Sequence, residues 1–255
     1  MDSSPFRRRT GNAGLVAALR RRKTMMTNTY RDRHDAGRKL ASFLTGYAGR
    51  DDVVVLGLPR GGVPVAFEVA RALRVSFDIL LVRKLGVPGF DELAMGAIAS
   101  GGFRFLNDDV LRHYRISPAT VDAVAFREQV ELHRREERYR GSRPPVPLAG
   151  RTVILVDDGL ATGATMQTAI DAVRAAAARI VVAVPVASSD ICAWLRRRAD
   201  EVVCAATPEP FVAVGRWYGE FEQTTDQEVL ALLQEVDHDV PRADETGNQS
   251  GGTLR

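Results

Sequence analysis

The sequence predicts an α/β fold: a doubly wound, mainly parallel sheet flanked by helices. Runs of residues that are apolar throughout alternate with segments of helical periodicity, and such strands are typical of a parallel sheet covered on both faces. With 255 residues, of which 45% are hydrophobic and 26% charged, the chain has an ordinary globular composition. In a sheet of this kind, ligands bind beyond the carboxyl ends of the strands.

The charge of the chain is unevenly distributed. Residues 1–28 carry seven Lys or Arg and one acid, Asp2, which gives +6 and leaves −3 for the remainder of a chain whose net charge is +3. We expect these residues to be a disordered basic leader, or an extension upstream of a start at Met25 or Met26. A nucleic-acid-binding arm is the alternative, but nucleic acid is not the partner we expect.

No window of 18 consecutive apolar residues occurs, so the sequence predicts no membrane span. The leader also lacks the apolar core of a secretion signal. We therefore expect a cytoplasmic protein without a membrane partner.

The first part of the domain, which we place at residues 29–235, alternates helices and strands. The helix that Asp32 caps should bury Ala36, Leu40, Phe43, Leu44 and Tyr47 and end at Gly49. The next predicted elements are a strand at 53–56, a turn at GLPRGGVP, a helix at 65–73, a strand at 77–82, a loop at 83–92 and a strand at 93–100.

Residues 103–149 interrupt this alternation and predict a helical insertion, in which Ser117 and Pro118 start a helix that runs to about Arg140. The alternation then resumes with a strand at 153–156, a helix at 163–178, a strand at 180–186, a helix from Ser189 to about Arg198 and a strand at 201–206. Thr225 and Glu228 form a capping box before the last helix, and residues 236–255 have the composition of a disordered tail.

The cysteines and histidines show no metal-binding pattern. Cys192 and Cys204 lie 12 residues apart without ligand-like spacing, and we expect small buried thiols. The four histidines are scattered, so we expect no histidine-based metal site.

The stretch VILVDDGLATGATM, residues 153–166, carries the strongest functional signal. Gly159 and Gly163 allow the backbone to approach a ligand closely, and the start of the following helix offers unpaired N–H groups to a phosphate. Asp157 and Asp158 would repel that phosphate, so they suit two neighbouring sugar hydroxyls, or a divalent metal, on the same ligand. The combination predicts a site for a 5-phosphorylated ribose.

VILVDDGLATGAT resembles the phosphoribosyl-diphosphate (PRPP) binding motif of type I phosphoribosyltransferases, and the resemblance covers roughly residues 30–233. It implies that Asp157 and Asp158 bind the ribose hydroxyls and that Arg60 and Gly61 bind the diphosphate. It further implies that Arg83 and Lys84 are cations of a mobile catalytic loop, which from Lys84 to Asp91 could close as a lid. The implied 5-phosphate loop consists of Ala161, Thr162, Gly163, Ala164 and Thr165.

The activity that the resemblance implies is transfer of the 5-phosphoribosyl group from PRPP to a nitrogen acceptor, with release of diphosphate. Asp157, Asp158, Lys84 and Arg60 would be the catalytic residues. Mg²⁺ would be the cofactor, held by Asp157 and Asp158 directly or only through PRPP or water. We also hypothesise a cis peptide near Arg60, and the family resemblance favours a homodimer.

The acceptor stays open at this stage, with a nucleobase as the first choice. Ala161 stands where the 6-oxopurine branch of the family usually has Asp, which counts against hypoxanthine or guanine. The acceptor pocket would be built from the insertion or from a hood at residues 207–221, where Phe211, Trp217 and Tyr218 could stack on a base or pack in the core. The alternatives are a non-catalytic regulator that senses PRPP or nucleotides, and a transferase for a non-nucleobase acceptor.

Overall fold

The computed structural model describes residues 29–141 and 143–239. The predicted leader at 1–28 and the part of the predicted tail at 240–255 lie outside these residues. None of the described helices is long and apolar enough to cross a membrane.

Helices and strands alternate along most of the described chain. The strands are β1 (Val53–Gly57), β2 (Ser76–Ile79), β3 (Val82–Val87), β4 (Phe90–Ala99), β5 (Phe103–Leu106), β6 (Thr152–Val156), β7 (Arg179–Val186) and β8 (Glu201–Ala206). The α-helices are α1 (Arg33–Ala41), α2 (Gly62–Leu73), α3 (Asp108–His113), α4 (Pro118–Arg140), α5 (Ala164–Val173), α6 (Ser189–Leu195) and α7 (Asp226–Asp239), and short 3₁₀ helices span Thr45–Tyr47 and Val214–Trp217.

The central sheet has five parallel strands in the order β2-β1-β6-β7-β8. Its inner strands β1, β6 and β7 are buried on both faces because their side chains alternate between two apolar clusters. Val53 and Val55 face α1, α2, α4 and α7, whereas Val54 and Leu155 face α5 and α6. This arrangement confirms the predicted doubly wound α/β fold.

A second, antiparallel sheet has the order β3-β4-β5 and corrects the prediction of a loop at 83–92. That segment is instead a hairpin, in which β3 turns at Pro88 and Gly89 into β4. Leu85 and Val87 are buried, so the segment has the alternating burial of a strand. The Gly and Pro residues that indicated a loop lie at the turn and at an irregular pairing next to Gly86.

Several predicted helices end earlier than expected. The first ends at Ala41 and is followed by a 3₁₀ turn, which leaves Phe43 exposed instead of buried. α5 ends at Val173 and α6 at Leu195, both before their predicted ends, whereas α7 continues to Asp239, beyond the predicted domain limit at 235. Helix starts were predicted better because their caps are specific: the N–H groups of Asp35, Thr120 and Glu228 donate to Asp32, Ser117 and Thr225.

Cys192 on α6 and Cys204 on β8 form a disulfide with an S–S distance of 2.16 Å. The prediction of two free thiols is therefore wrong. Because α6 packs along the strand that follows it, the two Cα atoms lie 6.8 Å apart, which the spacing along the chain does not reveal.

The end of the long helix α4 is tied to the sheet by a buried ion pair. Nη1 of Arg140 donates to both oxygens of Asp78 on β2, at 2.7 and 2.5 Å, and the two side chains are only 3% and 1% exposed. Arg143 and the N–H of Val146 donate to the same carboxylate. Asp78 therefore fixes both the insertion and the connector after it.

Replacing Asp78 with Asn should lower the free energy of unfolding by about 3 kcal/mol, because it leaves a buried guanidinium without its counter-ion. Urea unfolding followed by circular dichroism measures this loss. The control is Asp122→Asn, which breaks an exposed pair with Arg104 and should cost less than about 1 kcal/mol. Equal losses in the two variants would contradict the role given to Asp78.

Candidate active site

Two loops meet at the carboxyl edge of the central sheet because β1 and β6 are parallel neighbours that end in register. Gly57, the last residue of β1, pairs with Val156, the last residue of β6. The loop after β1 is so close to the loop after β6 that a Cβ on Gly61 would lie 2.1 Å from Oδ2 of Asp158. A Cβ on Gly62 would lie 2.8 Å from Cα of Asp157. The two glycines therefore allow the loop that carries Arg60 and Gly61, the predicted diphosphate ligands, to contact Asp157 and Asp158.

The acid pair consists of Asp157 and Asp158, whose side chains are partly buried. The N–H of Asp158 donates to Oδ1 of Asp157 at 2.9 Å, and the hydroxyl of Tyr218 donates to the carbonyl of Asp158 at 2.5 Å. Burial raises the pKa of Asp157 well above its usual range, and the charge of Asp158 raises it further. Burial also raises the pKa of Asp158, although the nearby Arg33 opposes this shift.

Arg33, the first residue of α1, is the counter-ion of the acid pair. Its Nε and Nη2 lie 2.9 and 2.8 Å from Oδ2 of Asp158, and its Nη1 donates to the carbonyl of Glu222 at 2.6 Å. The guanidinium carbon lies 4.1 Å from the centre of the Phe221 ring. Sequence reasoning missed Arg33, which lies 125 residues before Asp158. The only available signal was that two adjacent acids at the end of a buried strand need a cation.

The predicted phosphate loop leads into the start of α5. Gly163 precedes the helix with φ of +75°, a conformation that favours glycine, and α5 begins at Ala164. Ala161, Thr162, Ala164 and Thr165 are exposed. The first N–H groups of this helix can therefore bind an anion that approaches from solvent.

Arg60 follows a cis peptide bond with Pro59, as hypothesised. Its guanidinium lies 3.7 Å from Oδ1 of Asp226 at the start of α7. Asp226 also accepts a hydrogen bond from Tyr139 and pairs with Arg138 at 2.6 Å, and these contacts hold the pKa of Asp226 below its usual value. Asp226 thus joins the predicted diphosphate ligand to the helical insertion.

Arg83 and Lys84 lie next to each other on β3, so their side chains point to opposite faces of the second sheet. Arg83 pairs with Glu128 of α4 at 2.6 Å, and Lys84 is exposed. The structure therefore brings Gly61 and the acid pair together, but places these two cations on a separate hairpin. Their role in a closing loop stays a prediction.

The predicted hood, residues 207–221, contributes packing as well as site contacts. Tyr218 is buried, and its ring centre lies 5.4 Å from that of Tyr30 and 4.9 Å from that of Phe221. Tyr218 therefore packs in the core, while Phe221, which is 36% exposed, borders the site through Arg33.

Among the described residues, no group of three or more His, Cys, Asp or Glu could hold a metal ion.

Comparison with known proteins identifies relatives over most of the chain. The family model of the phosphoribosyl transferase domain matches residues 27–217. A Mycobacterium tuberculosis protein named "Putative phosphoribosyl transferase Rv0571c" is 53% identical over 213 residues, which are 83% of this chain and 48% of that protein. The chain thus spans about half the length of this relative.

Two further matches differ in extent. The crystal structure of TT1426 from Thermus thermophilus has 46% sequence identity and a TM-score of 0.74, and the match covers 81% of this chain and 98% of that one. The "Bifunctional protein PyrR" of Chloroflexus aurantiacus is 33% identical over 116 residues, which are 45% of this chain and 58% of that protein.

The raised pKa of Asp157 predicts that Asp157→Asn stabilises the protein at neutral pH. The folded protein binds the Asp157 proton more tightly than the unfolded chain does, so this contribution to stability is complete below the unfolded pKa of about 4 and is lost as pH rises through the folded pKa. The Asn side chain has no titratable proton, so the variant does not lose this stability as pH rises. Urea unfolding should therefore show a larger advantage of the variant at pH 7.5 than at pH 4.5.

The control for this experiment is Asp51→Asn, at an exposed position before β1. As an exposed surface substitution, it should change the free energy of unfolding by no more than about 0.5 kcal/mol. An advantage of Asp157→Asn that is the same at both pH values would contradict the raised pKa.

Proposed function

Because this chain belongs to the phosphoribosyl transferase domain family, we propose that it moves the 5-phosphoribosyl group from PRPP to a nitrogen acceptor and releases diphosphate. The observation that carries the proposal is the contact between Gly61 and Asp158. PRPP has a diphosphate at C1 next to the ribose diol, and this contact brings the proposed ligands of those two groups together.

Each part of PRPP has a matching group in the site. The ribose hydroxyls donate to Asp157 and Asp158 in charge-assisted hydrogen bonds. The 5-phosphate accepts hydrogen bonds from the N–H groups at residues 161–165 and from the hydroxyls of Thr162 and Thr165. The diphosphate binds the backbone of Gly61 and the guanidinium of Arg60, which Asp226 orients.

The residues present fit a magnesium ion that arrives with PRPP. Mg²⁺ usually binds one or two carboxylates together with substrate phosphates, and the acid pair offers two carboxylates. Oδ2 of Asp158 is already paired with the guanidinium of Arg33, so the carboxylate of Asp157 is the more available ligand for the ion. When bound, Mg²⁺ would neutralise negative charge on the diphosphate.

The chain's own contribution to the reaction is electrostatic and positional. The C1–O bond to diphosphate breaks as the bond from the acceptor nitrogen to C1 forms, and the acceptor proton is released to water. Arg60 and, on the hairpin, Lys84 would stabilise the charge that develops on the leaving diphosphate. The acid pair would hold the ribose in place, which lowers the entropic cost of the reaction.

We further propose that the protein is cytoplasmic and forms a homodimer.

The second candidate function is a PRPP sensor without turnover. It is favoured by the partial similarity to proteins named bifunctional PyrR, one of which is 33% identical over 116 residues. The two functions differ in one measurement. A transferase releases diphosphate from PRPP when a suitable acceptor is added, whereas a sensor binds PRPP and releases none with any member of a panel of nucleobases, amines and amino sugars.

Asp158→Asn should weaken the binding of PRPP by about 10- to 100-fold, because the charge-assisted hydrogen bond that it removes contributes roughly 1.5–3 kcal/mol. Isothermal titration calorimetry with Mg²⁺ measures the dissociation constant, and circular dichroism checks that the fold is kept. The exposed Asp51→Asn variant is the control. An unchanged affinity of Asp158→Asn for PRPP would contradict the proposal that Asp158 binds the ribose hydroxyls.

Gly61→Ala should reduce PRPP affinity by a similar factor while the protein stays folded. The new Cβ would collide with Oδ2 of Asp158, and the carboxylate can rotate away from Arg33 and from the ligand. The matched control is Gly46→Ala, where a Cβ would have no neighbour within 4 Å among the described residues. The same calorimetric titration applies, and equal affinities in the two variants would contradict the close approach of the loops.

A further inference from the structure

A cavity of about 600 Å³ lies between the start of α1 and residues 219–228, beside the acid pair. Arg33 forms part of its wall and also binds Asp158, so one side chain connects the cavity with the proposed ribose site. Phe221, stacked on that guanidinium, adds an aromatic surface to the same wall. The volume is sufficient for a small organic molecule.

Among the described residues that line the cavity, acidic side chains outnumber basic ones. They include Asp32, Glu220, Glu222 and Glu228, whereas Arg33 is the one Lys or Arg among the described lining residues. The guanidinium of Arg33 is already engaged by the Asp158 carboxylate and a backbone carbonyl. A ligand in this cavity therefore meets an excess of negative charge, which favours a cation and disfavours an anion.

Three of these carboxylates, those of Glu220, Glu222 and Glu228, have no ion-pair partner among residues 29–141 and 143–239. Asp32, in contrast, caps α1 and pairs with Arg31 at 2.9 Å. His34 is also engaged, since its Nδ1 lies 3.0 Å from Oε1 of Glu68. Of the three carboxylates, that of Glu220 lies within the electrostatic influence of Arg31. Glu222 and Glu228 are thus the groups most available to a charged ligand.

A second, independent observation points to a polar ligand. Thr224 lines the cavity and is only 3% exposed, and its Oγ1 has no hydrogen-bond partner within the described part of the chain. A buried hydroxyl without a partner is costly. The oxygen is itself buried behind the cavity wall, so a nitrogen donor of a ligand would satisfy it only once the wall shifts.

We propose that this cavity is the acceptor site and that it takes an acceptor with a protonated amino group in addition to the reacting nitrogen. This inference rests on the proposed transferase function. The reacting nitrogen is neutral and forms the bond to C1 with its lone pair, while the C1–O bond breaks and its electron pair leaves with diphosphate. The proton lost from that nitrogen goes to water. The second amino group stays protonated and pairs with Glu222 and Glu228.

The test compares three probes of different charge by calorimetry at physiological ionic strength: putrescine as a diamine, adenine as a neutral base and nicotinate as an anion. Putrescine should bind the full-length protein saturably and more tightly than the other two probes. The double variant Glu222→Gln/Glu228→Gln should bind putrescine at least about 10-fold more weakly, because charged hydrogen bonds are lost. Diphosphate release from PRPP with putrescine should fall in parallel.

The control is Glu235→Gln, at an exposed position of α7 outside the cavity, which should bind putrescine as the wild type does. All variants should keep wild-type affinity for PRPP. Tighter binding of adenine or nicotinate than of putrescine, or no effect of the double variant, would overturn the inference. If PRPP fails to bind the wild type while putrescine binds in a manner that depends on Glu222 and Glu228, the transferase proposal falls and the cavity's preference for cations stands.

Discussion

The ion pair between Arg33 and Asp158 is the interaction on which the arrangement of the site depends. Two adjacent carboxylates at the end of a buried strand repel each other and lose hydration, and burial accordingly raises the pKa of both. Arg33 brings one positive charge to them from the start of α1. The same guanidinium binds the carbonyl of Glu222 and stacks on Phe221, so it also holds the segment that covers the site.

The central sheet makes this unfavourable concentration of charge possible. β1 and β6 are fully buried and end in register, which places the loop of Gly61 against Asp158. At the sheet edge, the buried pair of Asp78 and Arg140 holds the helical insertion in place. Stability is thus supplied by the sheet and its flanking helices, whereas the site contributes buried carboxylates whose desolvation opposes folding.

The parts of the structure that follow local chemistry could be predicted from the sequence. Apolar runs identified the strands of the central sheet, and the doubled acid before a Gly and Thr turn identified the position of Asp157 and Asp158 at its carboxyl edge. Contacts between distant segments could not be predicted. Arg33 has no local feature that distinguishes it from other arginines, and Cys192 and Cys204 meet only because α6 packs on β8. The hairpin at β3 and β4 was missed because its turn and its irregular pairing use glycine.

The proposed acceptor cavity is built differently from the proposed PRPP site, and this difference explains why the acceptor is harder to infer. The proposed PRPP ligands follow strands of the central sheet, so their positions are determined by strand register. The cavity is formed by the start of α1 and by residues 219–228. The chain just before α1 pairs with this segment, since Tyr30 bridges to Tyr218 and the N–H of Gly219 donates to the carbonyl of Tyr30. The hydroxyl of Tyr30 donates to the carbonyl of Pro185 on β7 at 2.7 Å, which anchors this unit to the sheet. Its charged residues can therefore change without disturbing strand register, and Arg33 is the contact through which such a change would reach Asp158.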